Sequence, residues 1–219
     1  MEIHQFSCRE ENGVDMRQAN AVLKYRPDII LYEGPSNGKP NIVFDTHKPN
    51  KEVKKDLKEI TQYLKKISQK EPWVMSDIYS FNNVFKISQE GQKTKIYYVD
   101  GPHELLSQTI TNKWNRISRP RRRGNHLLWW VYIYLREKIM SKNIESLSKN
   151  KNLNVLVFMQ KFHWLNVQFQ LSKPTKDQMW EYYFGKFKHI NRSNITEIIK
   201  MKNKVLYKYW VVYSDFIER

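Results

Sequence analysis

The chain has 219 residues and a formal net charge of +16, from 38 Lys and Arg against 22 Asp and Glu; that length suffices to bury a sizeable core as one large domain or two small ones. Aromatic residues make up 14% and hydrophobic residues 40%, which excludes a disordered polyelectrolyte. The one cysteine, Cys8, excludes a disulfide framework and a cysteine-rich zinc site.

A single thiol suits a reducing compartment. Met1-Glu-Ile-His-Gln-Phe lacks the basic n-region and apolar core of a secretory signal, and no apolar run approaches the roughly 18 residues of a membrane span. The expectation is a cytoplasmic chain with no membrane span. The charge has two readings: a lysine-rich solvated surface, or a partner rich in phosphate. Most lysines are spread along the chain, which favours the first.

In chain order, a short strand over Met1–His4, reaching Phe6, is followed by a loop over Ser7–Val14. Asp15-x-x-Gln18 has the spacing of a capping box and opens a helix over Met16–Tyr25, which Arg26-Pro27 ends. Asp28–Tyr32 is a continuous apolar run of strand length, the pattern of a buried parallel strand, and Glu33–Gly38 reads as a loop. Val53, Leu57, Ile60, Leu64 and Ile67 form one apolar stripe on a helix over Lys51–Ile67. With Gln89-Glu90-Gly91-Gln92 as a turn, Val84–Ser88 and Lys95–Val99 pair as a hairpin.

Asp100-Gly101-Pro102 closes that strand and leads into a helix through Leu105 and Leu106. Arg116–Gly124 is a basic loop, and a long helix covers Asn125–Leu147. Leu153–Met159 is a second all-apolar strand, leading to His163. Thr175-x-x-Gln178 is a capping box before a helix over Met179–Phe187, Asn194-x-x-Glu197 opens another, and Val205–Tyr213 is β-rich. The alternation predicts one α/β domain over residues 1–219: a mostly parallel sheet flanked by helices, with an antiparallel hairpin or edge strands.

Four polar residues share one context. His4, Glu33, Asp100 and His163 each follow an apolar strand, and ligands of open parallel sheets bind outside the carboxyl ends of the strands. Two imidazoles and two carboxylates suit a divalent metal, held by His4, Glu33 and His163. They equally suit metal-free activation of water. A second group, Arg119, Arg121, Arg122 and Arg123 with Trp129 and Trp130 after them, suits phosphate contact and base stacking, or an anionic substrate.

Arg26-Pro-Asp-Ile-Ile-Leu-Tyr-Glu33 resembles the Arg-Pro-Asp-apolar-Glu segment of the TraB/TIKI (erythromycin-esterase/ChaN-like) superfamily. His4 stands where the first-strand histidine of that family stands. Tyr98-Val-Asp100-Gly with the stretch to Trp114, and Leu135-Arg136-Glu-Lys-Ile-Met140 with Val155-Leu-Val-Phe-Met to His163, are similar to its later motifs in the same order. The resemblance covers Met1–Val167. It implies an α/β fold with a site at the strand ends and activities such as metal-dependent proteolysis, ester cleavage and haem binding. Arg136 would then stabilise developing negative charge.

The sequence departs from the family where Met1 replaces a glycine, where Gln160-Lys161-Phe162 replaces Gly-x-Gly, and where Leu135 replaces a glutamate, with Glu137 displaced. The preferred reading is a hydrolase of peptide or ester bonds acting on a peptide or small molecule. Its alternatives are a non-catalytic ligand- or partner-binding module with an eroded site, and a basic nucleic-acid-binding protein.

Overall fold

The computed structural model describes residues 3–6, 16–35, 40–69, 74–100, 123–149, 152–187, 192–193 and 196, and for 3–6, 34–35, 123–129 and 131–132 the backbone path alone. The chain divides into two compact units. Unit 1 comprises Met1–Gly34, Pro40–Val99 and Ile144–Leu165, and unit 2 comprises Pro35–Lys39, Asp100–Asn143 and Asn166–Arg219. Two of these boundaries fall inside helices and two inside strands.

Unit 1 is built on a sheet of order β1-β5-β2-β4-β3. The strands are β1 (Ile3–Phe6), β2 (Ile29–Pro35), β3 (Asn41–Asp45), β4 (Lys95–Asp100) and β5 (Val155–Phe158). β5 runs parallel to both β1 and β2. The first residue of β4, Lys95, donates its N–H to the carbonyl of Asp28, just before β2, so these two strands start side by side and run the same way. β3 is antiparallel to β4, with a register shift between Ile42 and Phe44. Ile29–Tyr32 and all of β5 are buried, which explains their unbroken apolar sequence: both faces of a central parallel strand are covered.

The helices of unit 1 follow from their apolar spacing. α1 (Arg17–Tyr25) buries Ala19, Ala21 and Val22 and ends at Arg26, whose φ of 43° is left-handed. Pro27 follows at once and cannot continue the helix. Asp15 of the expected capping box lies outside the described residues. α2 (Asn50–Ser68) turns Val53 and Leu64 into a core that Leu57, Ile60 and Ile67 flank. Its lysines face solvent.

α3 (Met75–Gln89) overturns the hairpin. Val84–Ser88 is helical, and the antiparallel partner of Lys95–Val99 is β3, a strand to which the sequence reading gave no element. The physical reason lies in the spacing. Ile78, Phe81, Val84 and Ile87 recur every three residues and all enter one core, a helical stripe that a strand would split between two faces. The buried Ser80 and Ser88 donate their hydroxyls back to the carbonyls of Ser76 and Phe85, so they cost the buried face little. Gly91, read as a hairpin turn, instead closes α3. At φ +96° its N–H reaches the Ser88 carbonyl while that of Gln92 reaches Ile87, the paired bonds of a Schellman cap.

Unit 2 contains most of α4 (Arg123–Leu147) and of α5 (Lys161–Leu171), then α6 (Lys176–Phe184) and a 3-10 turn at Gly185–Phe187. Thr175 and Gln178 form the expected capping box: the Gln178 N–H donates to Thr175 Oγ1 at 3.2 Å, and the Thr175 N–H to Gln178 Oε1 at 2.8 Å. The core of this unit joins Ile133 and Leu135 to Tyr183, Phe184 and Phe187. The expected loop at Ser7–Val14, the helix through Leu106, most of the basic loop, the Asn194 capping box and the strand at Val205–Tyr213 lie outside the described residues. Among the described residues, no helix is long and apolar enough to cross a membrane.

Candidate functional site

In unit 1 the register pairs Tyr32 with Phe158, so Glu33 and Met159 follow side by side at the carboxyl edge of the sheet. β2 itself runs on to Pro35, so Glu33 belongs to the strand and not to a loop. Two residues after β5, α5 begins, and His163 lies in its first turn rather than on an extended segment. Glu33 Oε2 accepts the Gln160 N–H at 2.8 Å, at the very start of α5, where helix N–H groups and the helix dipole stabilise a carboxylate. Its Oε1 lies 3.7 Å from His163 Nε2, with side chains 10% and 6% exposed respectively. The Phe162 ring stands edge-on to the imidazole at 5.2 Å. Two residues 130 positions apart in sequence are thus held together in a largely dry setting.

His4 is placed differently from the expectation that it follows its strand. It is the second residue of β1, level with Leu156, and Leu156 in turn is level with Ile30. Its Cα is therefore three residues short of the Glu33 level and two strands away, roughly 10 Å in each direction and about 14 Å in all. A histidine and a glutamate so separated are poorly placed to share one ion through bonds of about 2 Å. Among the described residues, no group of three or more His, Cys, Asp and Glu could hold a metal. A buried carboxylate beside an imidazole suits proton transfer.

In unit 2, Asp100 ends β4 and meets Arg136 of α4. Arg136 Nε donates to Asp100 Oδ1 at 2.9 Å and to Oδ2 at 2.7 Å, and Nη2 joins Oδ2 as well. Asp100 is 2% and Arg136 9% exposed, so this is a buried, multiply bonded ion pair. The structure brings together these two of the sequence-predicted residues. Of the arginine cluster, Arg119, Arg121 and Arg122 lie outside the described residues, and Arg123 is the first residue of α4.

Sequence reasoning missed Glu137 as a centre of contacts. Completely buried, it accepts bonds from Asn166 Nδ2 at 2.6 Å and the Tyr183 hydroxyl at 2.8 Å. The Tyr182 hydroxyl donates to Asn166 Oδ1, and Gln170 donates to the Tyr183 oxygen. Burial and the Glu137 carboxylate both push the Tyr183 phenol upward. The signal was present in the spacing: Ile133, Glu137, Met140 and Ile144 follow one another at four, three and four residues, which puts the carboxylate on the buried stripe of α4. Tyr183→Phe removes one donor from a buried carboxylate and is expected to cost about 1–3 kcal/mol, read as a lower urea midpoint.

A further carboxyl of unit 1, Asp77 in the first turn of α3, is pushed up to about 7 by burial. The start of a helix favours the ionised form, and desolvation outweighs it. The unfolded chain ionises this group near its ordinary 3.8, so Asp77 destabilises the fold progressively as pH rises from about 4 to about 7 and by a constant amount above. Asp77→Asn is expected to raise the urea midpoint at pH 8 and leave it unchanged at pH 3; an equal effect at both values would show that burial is not the cause.

Comparison of the chain with family models, with curated proteins and with solved structures finds no match in any of the three.

Proposed function

We propose that this chain is a hydrolase of peptide or ester bonds, of the TraB/TIKI type, in which Glu33 and His163 activate water. One observation carries the reading: a buried carboxylate–imidazole pair sits at the carboxyl edge of a parallel sheet, the edge at which α/β proteins bind their ligands. In this mechanism His163 accepts a proton from water as the hydroxyl oxygen attacks the carbonyl carbon. Glu33 faces the imidazole, orients it and stabilises the imidazolium that forms. The Gln160 N–H fixes the carboxylate so that it cannot swing away. The proton then passes to the leaving alcohol or amine as the tetrahedral intermediate collapses.

Arg136, read from sequence as a stabiliser of developing charge, has its guanidinium engaged by Asp100. The test is steady-state turnover of p-nitrophenyl acetate and of fluorogenic peptides by the purified chain. Turnover that persists in the presence of a chelator and is lost in His163→Ala supports the proposal; no turnover of either class above the His163→Ala background would contradict it.

A further inference from the structure

The start of α5, which belongs to unit 1, has a buried side and an open one. His163 and Trp164 are buried, whereas Lys161, Phe162 and Leu165 are exposed. Phe162 and Leu165 stand three residues apart, so they share one face of the helix with Cβ atoms about 5–6 Å from each other. Single exposed apolar side chains are ordinary on a protein surface. The other large apolar side chains exposed in the described part of unit 1 are of that kind: Met16, Ile42, Tyr63 and Tyr79 lie one each before α1, on β3, on α2 and on α3. Among the described residues of unit 1, Phe162 and Leu165 are the two that form a continuous strip.

The strip begins at the carboxylate–imidazole pair. The Phe162 ring stands edge-on to the His163 imidazole, with 5.2 Å between centres, and that imidazole faces Glu33. Side chains of a helix lean toward its N-terminus. The N-terminus of α5 is the rim at which Glu33 accepts the Gln160 N–H, so Phe162 and Leu165 lean toward the pair. Phe162 is 41% and Leu165 50% exposed, and the open parts of two such side chains come to on the order of 150 Å². A stable protein interface takes roughly 800 Å² from each partner. The strip is therefore of a size to cover a small apolar group of a substrate.

We infer that the substrate carries an apolar group of a few carbons next to the scissile bond, and that Phe162 and Leu165 bind it. This rests on the hydrolase reading of Glu33 and His163 and names the substrate class of that site. A methylene taken wholly out of water shifts an equilibrium about fourfold, and one laid on a helix face is covered on one side, so about twofold per methylene is expected. The experiment measures kcat/KM of the full chain in two series. p-Nitrophenyl acetate, butyrate and hexanoate lengthen the acyl side; methyl, butyl and hexyl acetate, followed by proton release, lengthen the alcohol side. One series should rise with chain length, by about 16-fold from acetate to hexanoate if it is the acyl series, and the series that rises identifies the side that lies on the strip. Leu165→Gln replaces an exposed side chain with another that helices tolerate and should lower the ratio of longest to shortest ester about fourfold. Tyr63→Gln, an exposed ring on α2, should leave that ratio unchanged. Hydrolysis that is lost in His163→Ala yet rises in neither series overturns the inference and leaves the hydrolase standing, as does a rise that Leu165→Gln leaves intact or that Tyr63→Gln lowers equally. Absence of hydrolysis of every ester overturns both.

Discussion

His163→Ala is expected to lower kcat/KM toward an activated ester by about 10²–10⁴-fold, the usual loss when a positioned general base is removed. His163 is 4% exposed, so a modest loss of stability accompanies the change, and circular dichroism together with a urea midpoint separates that loss from the catalytic one. Glu33→Gln is the sharper variant. The amide keeps an oxygen that can accept the Gln160 N–H, so the start of α5 keeps its cap, while the negative charge facing the imidazole is gone. Its expected signature is a fall in kcat with the urea midpoint nearly unchanged. A glutamate that acted only as a helix cap would leave turnover as well as the midpoint nearly unchanged in this variant.

The second large effect is on stability. Arg136→Met leaves Asp100 as a buried carboxylate without its guanidinium, and Asp100→Leu leaves the guanidinium without its carboxylate. Each is expected to cost about 3–5 kcal/mol, because an uncompensated charge in a dry site is far more costly than the pair is favourable. For a chain of this size that corresponds to a melting temperature lower by roughly 6–20 °C. Combining the two substitutions removes both charges and should restore most of the loss. Additive losses in the double variant would show that each side chain acts through other contacts rather than through the other.

The central strands were legible because Ile29–Tyr32 and Val155–Phe158 are covered on both faces, so they are short, unbroken apolar runs of strand length. The α2 stripe and the Thr175–Gln178 box were equally direct, since each follows from local spacing alone. Val84–Ser88 was not, because five residues of alternating character satisfy a strand, and only the longer spacing from Ile78 to Ile87 reveals the helix. Once that segment is helical, Lys95–Val99 needs another antiparallel neighbour. β3 supplies it from about 50 residues away, a pairing with no local signature.

Within the candidate site, Glu33 and His163 were legible as residues that follow apolar strands. That Glu33 lies within β2 and His163 in the first turn of α5 was not, because Gln160-Lys161-Phe162 carries no strong helix-start signal. His4 was misplaced by two residues of strand, enough to take it from the rim into the run of the sheet. Which site carboxylate Arg136 would pair with was not legible, since Asp100 lies 36 residues away in the chain.

A double-mutant cycle on ester hydrolysis, comparing Glu33→Gln, His163→Ala and the two combined, tests most directly whether these residues act as one unit. If they do, the combined variant is no slower than His163→Ala alone, since a glutamate that works through an imidazole has nothing to act on once the imidazole is gone. Losses that multiply in the combined variant would mean that Glu33 and His163 act separately, and the water-activating pair would have to be abandoned.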